Sequence, residues 1–167
     1  GRGVDAIDLI ELYSCFPAAV QLQCRELGIV AGSARPLSVT GGMHFAGGPL
    51  NSFSLHGLAR LVPMLRGDVG STALLTSISG TMTKFGAGLW SASPPRRSFA
   101  SVDVTETARA RTATVHLDAD FSGMATVAGY TVGHLKGEPF DAVVIADTPD
   151  GTRALAATTD RDVVEEL

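Results

Sequence analysis

The chain has 167 residues, a formal charge of -4 and a charged fraction of 18%. That length allows one domain with a good core, or a core domain plus a small appendage. The charge excludes a nucleic-acid footprint, and the densest cationic spot, Arg96-Arg97, reads as a solvated linker. No apolar run approaches the roughly 20 residues of a membrane helix and no secretory signal opens the chain. Two cysteines, Cys15 and Cys24, are too few for a disulfide framework, so a reduced, cytoplasmic setting without membrane contact is expected.

Taken in chain order, Ile7-Asp8-Leu9-Ile10-Glu11-Leu12 reads as a strand with no preceding element to pair with it. An isolated strand is unstable, so the chain is expected to be part of something larger. Pro17 suits the first turn of a helix whose face carries Phe16, Val20, Cys24 and Leu27, with Gly28 to end it. A further strand is expected to lead into Val39-Thr40-Gly41-Gly42-Met43-His44-Phe45-Ala46-Gly47-Gly48-Pro49, a glycine-rich loop that lets bare backbone approach a ligand or another backbone. Neither phosphate-binding glycine pattern is present in it. A tight strand-to-helix turn without a ligand is the plain alternative. Asn51 is the expected cap of a second helix with Leu55, Leu58, Leu61, Val62 and Leu65 at helical spacing. Thr72 to Ser79 is apolar enough for a buried strand, with Ala87 to Ser91 as its neighbour.

Ser93-Pro94-Pro95-Arg96-Arg97-Ser98 then marks a boundary, and the helical period is lost beyond it. Residues 1–93 are expected to form a layered α/β unit, 94–112 a linker, and 113–167 a small β domain. In that tail Ala113 to Leu117, Ala125 to Val132, Ala142 to Ala146 and Thr152 to Thr158 read as four short strands, with Pro149-Asp150-Gly151 as a hairpin turn. A small antiparallel sheet or open barrel follows from that count. Asp160 to Leu167 has helix-forming residues but little core.

Glu11-Leu12-Tyr13-Ser14-Cys15-Phe16, the loop from Thr40 to Pro49, and Leu74-Leu75-Thr76-Ser77-Ile78-Ser79-Gly80 resemble the successive motifs of the C-terminal half of the thiolase superfamily. More narrowly, they resemble the thiolase-like acetyl-CoA acetyltransferases with an additional C-terminal domain, the thiolase-like proteins of type 1. The resemblance covers residues 5 to 93 by motif and the tail by position and strand pattern. It implies an α/β fold: the C-terminal half of a thiolase-type layered αβα fold, followed by a small antiparallel, barrel-like β domain.

Family membership does not transfer chemistry by itself, so the implication is taken position by position. A thiolase uses a nucleophilic cysteine from its N-terminal half, activated by a histidine in a Gly-His-Pro loop. That half lies outside this chain and is the first implied partner. The histidine position aligns with Gly48, before Pro49, and a second cysteine that moves a proton aligns with Ile78, whose side chain transfers none. Tyr13 occupies the place of the residue that orients a water. Tyr13 and His44, four residues before Gly48, are the candidate catalytic residues. Backbone N–H groups around Gly47, Gly48 and Gly80, with Ser79, form the candidate acyl and CoA pocket.

The bland readings stand beside these. His44 reads as a structural residue, His56 as a packed or half-exposed one, and Cys15 as a small buried side chain at a strand-to-helix corner. His116 and His134 make no spacing with anything, and no metal-binding set appears. Two functions follow. The resemblance implies a thiolase-like acyltransferase of lipid metabolism, acting on a coenzyme A thioester as substrate without a covalently bound cofactor, its activity lost or altered. The alternative is a non-catalytic CoA-binding, acyl-binding or protein-interaction module on the same scaffold. A homo-oligomer is a further implied assembly, because thiolases are commonly dimers.

Overall fold

The computed structural model describes residues 3–30, 33–95 and 98–167 and divides into two compact units, 1–100 and 101–167. Arg96 and Arg97, read above as a solvated pair, lie outside the described residues.

The first unit is built on a three-stranded sheet in the order β1-β2-β3, with β1 at Leu9–Glu11, β2 at Thr72–Ser79 and β3 at Lys84–Ser91. β1 therefore does have a partner. It runs parallel to β2, Ile10 opposite Leu74, and β2 turns back antiparallel into β3. A parallel pair needs a long crossover, supplied here by helices α1 (Pro17–Leu27), α2 (Met43–Ala46) and α3 (Phe53–Gly67).

Alternation along β1 sorts its side chains between two layers. Ile10 and Leu12 join Ile7 and Leu74 beneath Val20, Cys24 and Leu27 of α1. Leu9 points the other way, where Leu61 and Leu65 of α3 pack on Ala73 and Leu75 of β2. Helices thus cover both faces of the sheet, the layered αβα arrangement expected from the sequence. Pro17 opens α1, and Gly28 closes it in the left-handed conformation at φ 72°.

Three details of this unit differ from the sequence reading. Phe16 is exposed, and Ala19 and Gln23 are the residues that α1 buries, because Gln23 satisfies backbone rather than filling a stripe. Residues 33–42 form no strand; Leu37 O accepts from Leu12 N–H at 2.9 Å, and from Val39 on the backbone turns to the side chain of Glu11. Helix α3 is preceded by a 3₁₀ turn at Leu50–Ser52, so Ser52, not Asn51, stands at its cap position, and Leu55 is exposed while Phe53 and Gly57 are buried.

The second unit holds helix α4 (Thr105–Arg111), a three-stranded antiparallel sheet of β4 (Thr126–Leu135), β5 (Glu138–Asp147) and β6 (Arg153–Thr158), and helix α5 (Arg161–Glu166). Helix α4 falls inside the stretch read as linker. The strand expected at 113–117 is reduced to a single parallel bridge, Leu117 to Arg153, made by Arg153 N–H to His116 O at 2.8 Å and Asp118 N–H to Arg153 O at 2.7 Å. The sheet is open among the described residues. β4 and β5 are joined through Lys136 (φ 56°) and Gly137 (φ 90°), two consecutive left-handed residues of the kind that match hairpin twist. The expected turn at Pro149-Asp150-Gly151 joins β5 to β6, closed by Thr148 N–H donating to Thr152 O at 3.0 Å. Val164 of α5 is 3% exposed, so this terminal helix buries more than its sequence suggested.

Candidate functional site

Tyr13 follows β1 directly and is held at both ends. Its N–H donates to Thr76 Oγ1 at 2.8 Å, and that hydroxyl donates on to Gln23 Oε1 at 2.6 Å. Gln23 Nε2 closes the circuit by donating to Tyr13 O and Ala19 O, each at 2.9 Å. The buried polar groups of α1, β1 and β2 thereby satisfy one another, as a buried network must. At the far end the Tyr13 hydroxyl donates to Leu50 O at 3.0 Å, and the ring meets Phe53 edge-on at 5.7 Å. Burial raises the Tyr13 pKa above its ordinary value of 10.0, with the nearby Cys15 thiol adding to the rise.

An open cleft of about 470 Å³ lies beside this residue, lined by Tyr13, Ser54 and Leu55 on one side and by Ser77, Ile78, Ser79, Lys84 and Phe85 on the other. Its walls are apolar at Leu55, Ile78 and Phe85 and carry hydroxyls at three serines and one cation at Lys84. Such a mixture suits a ligand with an apolar part and a polar or anionic part.

The glycine loop starts on Glu11, the feature that sequence reasoning missed. This side chain is 0% exposed. Its carboxylate accepts from Val39 N–H at 2.8 Å, Thr40 N–H at 3.0 Å, Thr40 Oγ1 at 2.9 Å and Ser38 Oγ at 2.9 Å. Thr40 Oγ1 in turn accepts from Gly42 N–H at 3.1 Å, and Ser14 Oγ accepts from Met43 N–H at 3.0 Å. Gly42 sits at φ 83° and a Cβ there would lie 2.9 Å from Ser14 Oγ, so only glycine fits both the backbone and the approach. On α3, a Cβ on Gly57 would lie 2.8 Å from Glu11 Cγ, so the helix makes room for the buried carboxylate. The signals in the sequence were an acidic residue inside an apolar strand and the Ser-Val-Thr run ahead of the glycines.

The structure brings Tyr13 and Ser79 together with Ile78 in the cleft. His44, Gly47, Gly48 and Gly80 are outside its lining. His44 is exposed on α2, its ring edge-on to Phe45 at 6.4 Å, and a Cβ on Gly48 would meet nothing within 4 Å. Cys15 is half-buried against Tyr13, Ala19, Phe53 and Ile78, and burial pushes the Cys24 thiol up. His56 is exposed on α3, and His134 lies in the second unit with Nδ1 3.2 Å from Val132 O. No cluster of three metal-binding side chains occurs among the described residues, and no described helix is long and apolar enough to cross a membrane.

Residues 103–167 match the family model of the thiolase-like protein type 1 additional C-terminal domain. The crystal structure of a monomeric SCP2-thiolase like protein type 1 from Mycobacterium smegmatis superposes on all of this chain with a TM-score of 0.86 and 32% sequence identity. Fold and additional domain together make the chain similar to the thiolase-like proteins of type 1. It spans 37% of the length of that mycobacterial thiolase-like protein, and no curated protein sequence matches it. The additional domain of the type 1 family corresponds here to the second unit, with its three-stranded sheet and flanking helices, while the cleft and the glycine loop belong to the thiolase-like first unit.

Proposed function

We propose that this thiolase-like chain takes part in binding an acyl-CoA thioester, and that its carbon–carbon bond chemistry is lost or altered relative to that of a working thiolase. One observation carries this reading. The residue aligned with the family's proton-moving cysteine is Ile78, which lines the cleft with Tyr13 and leaves it an apolar wall in place of an acid or base. Gly48, aligned with the family's activating histidine, brings no imidazole either. What remains favours binding: a pocket with apolar walls at Leu55 and Phe85 for an acyl or pantetheine chain, serine hydroxyls for its amides, and Lys84 for an anionic group. Tyr13, whose phenolic proton is committed to Leu50 O, keeps an oxygen lone pair that can accept from a bound water. The N-terminal thiolase half is the partner this reading requires if a nucleophile is to reach the thioester.

The test is intact-mass analysis of the protein incubated with acetyl-CoA and longer acyl-CoAs, beside a calorimetric titration of CoA. Saturable binding without a covalent adduct is the expected result. A cysteine-linked acyl adduct would show that thiolase-type chemistry survives, and an absence of binding would remove the thioester reading altogether.

A further inference from the structure

We propose that Glu11 is the positioning residue of the glycine loop, its buried carboxylate setting the path of residues 38–43 past the Tyr13-Ser14 corner. The significance of that path for a ligand rests on the thioester reading above; the anchoring itself does not. A carboxylate taken fully out of water is costly unless it is paired or fully hydrogen-bonded. Glu11 has no basic side chain bonded to it among the described residues and is satisfied by the hydroxyls of Ser38 and Thr40 and the amides of Val39 and Thr40. All four donors come from three consecutive residues at the head of the loop. The carboxylate is therefore a local template: it orients these two amides, and the Thr40 hydroxyl passes the constraint to Gly42 N–H.

From the opposite side the packing leaves Glu11 little freedom. Gly57 and Leu75 close over its stem, with a Cβ at position 57 falling within 3.1 Å of Leu75 Cδ1 as well as against Glu11. A fixed carboxylate on a sheet strand then holds a loop whose approach bonds to the continuation of that strand at Leu37 O, which accepts from Leu12 N–H at 2.9 Å. Among the described residues the loop beyond Met43 makes no hydrogen bond to Glu11; Ala46 packs on the Tyr13-Phe53 cluster, and Phe45 is 84% exposed. Glu11 thus divides the loop into an anchored head and a presented tip.

Amide-resolved hydrogen exchange on the full chain at neutral pH tests this without any ligand. In Glu11→Gln one acceptor oxygen is lost and an N–H2 group is turned toward groups that already donate. The amides of Val39, Thr40, Gly42 and Met43 should exchange at least about tenfold faster, while those of β2 keep their wild-type rates. Thr40→Val removes one donor and the acceptor for Gly42, and is expected to fold and to show the same local acceleration; Thr40→Ser restores the hydroxyl and should return the wild-type rates. Unchanged loop amides in either Glu11→Gln or Thr40→Val would overturn the proposal. So would acceleration of loop and β2 amides by one common factor, which marks a carboxylate that serves only global stability, or a Thr40→Ser profile that follows Thr40→Val. Failure of the CoA titration would leave this outcome untouched and would count against the thioester reading alone.

Discussion

Tyr13 has its phenol tied to one carbonyl and its ring set against Phe53, so its two functions separate by substitution. In Tyr13→Phe the ring contact stays and the hydroxyl goes, leaving Leu50 O without its donor. Losing a part-buried hydrogen bond of this kind costs about 1 kcal/mol, more where the stranded carbonyl finds no water. The pH dependence carries a sign. Because burial holds the folded-state pKa above the ordinary 10.0, the stabilisation from the neutral phenol is fully present below pH 10 and is lost as pH rises through the raised folded value. Urea denaturation at pH 8 and again near pH 11 should therefore show wild type losing more stability than Tyr13→Phe; parallel losses in the two proteins would contradict the buried-phenol account. The glycines of the loop give a second contrast. Gly42→Ala puts a Cβ into the left-handed region and against Ser14, and should cost roughly 1–3 kcal/mol. Gly48→Ala enters open space and should stay within about 0.5 kcal/mol of wild type, which equilibrium denaturation of the pair would settle.

At the scale of elements, the sequence was most legible where local chemistry and packing agree. Pro17 and Gly28 bracket α1, and the run Thr72 to Ser79 is β2 residue for residue. It was least legible where one element answers to a side chain distant in sequence. Val39 reads as the end of a strand, yet its backbone N–H is committed to Glu11, which lies 28 residues earlier, and periodicity carries no trace of that. In the candidate site the same limit applies. Tyr13 and Ser79 were found because their motifs mark them; Lys84, Phe85 and Leu55 were not, since only the pairing of β2 with β3, Ile78 opposite Phe85, and the seating of α3 put them around one cleft. The β4–β5 hairpin went unread although Lys136-Gly137 is a two-residue turn with both residues left-handed. Asparagine tolerates that conformation better than lysine, so Lys136→Asn should stabilise the second unit by a few tenths of a kcal/mol up to about 1 kcal/mol. A lower thermal midpoint for the variant would count against the turn geometry.

At the scale of the whole molecule, two compact units raise the question of whether they unfold as one. Among the described residues, the three buried clusters of the first unit draw their buried members from Ile7 to Ile78. Leu61 sits at 0% exposure among Leu65, Ala73 and Leu75, and Leu61→Ala should remove about 2–5 kcal/mol through lost burial and the cavity left behind. In the second unit the side chain of Asp160 accepts from Asp162 N–H at 3.1 Å and caps α5, whose Val164 is buried. Removing that cap in Asp160→Ala should cost about 1 kcal/mol there. The single tryptophan, Trp90, is in β3 and reports on the first unit. Thermal melting followed by its fluorescence should therefore drop sharply for Leu61→Ala and stay at the wild-type midpoint for Asp160→Ala, while calorimetry of the latter shows heat absorbed at a lower temperature. If Asp160→Ala lowers the Trp90 midpoint as far as it lowers the calorimetric one, the two units share a single cooperative transition, and the separate core of the first does not make it an independent folding unit.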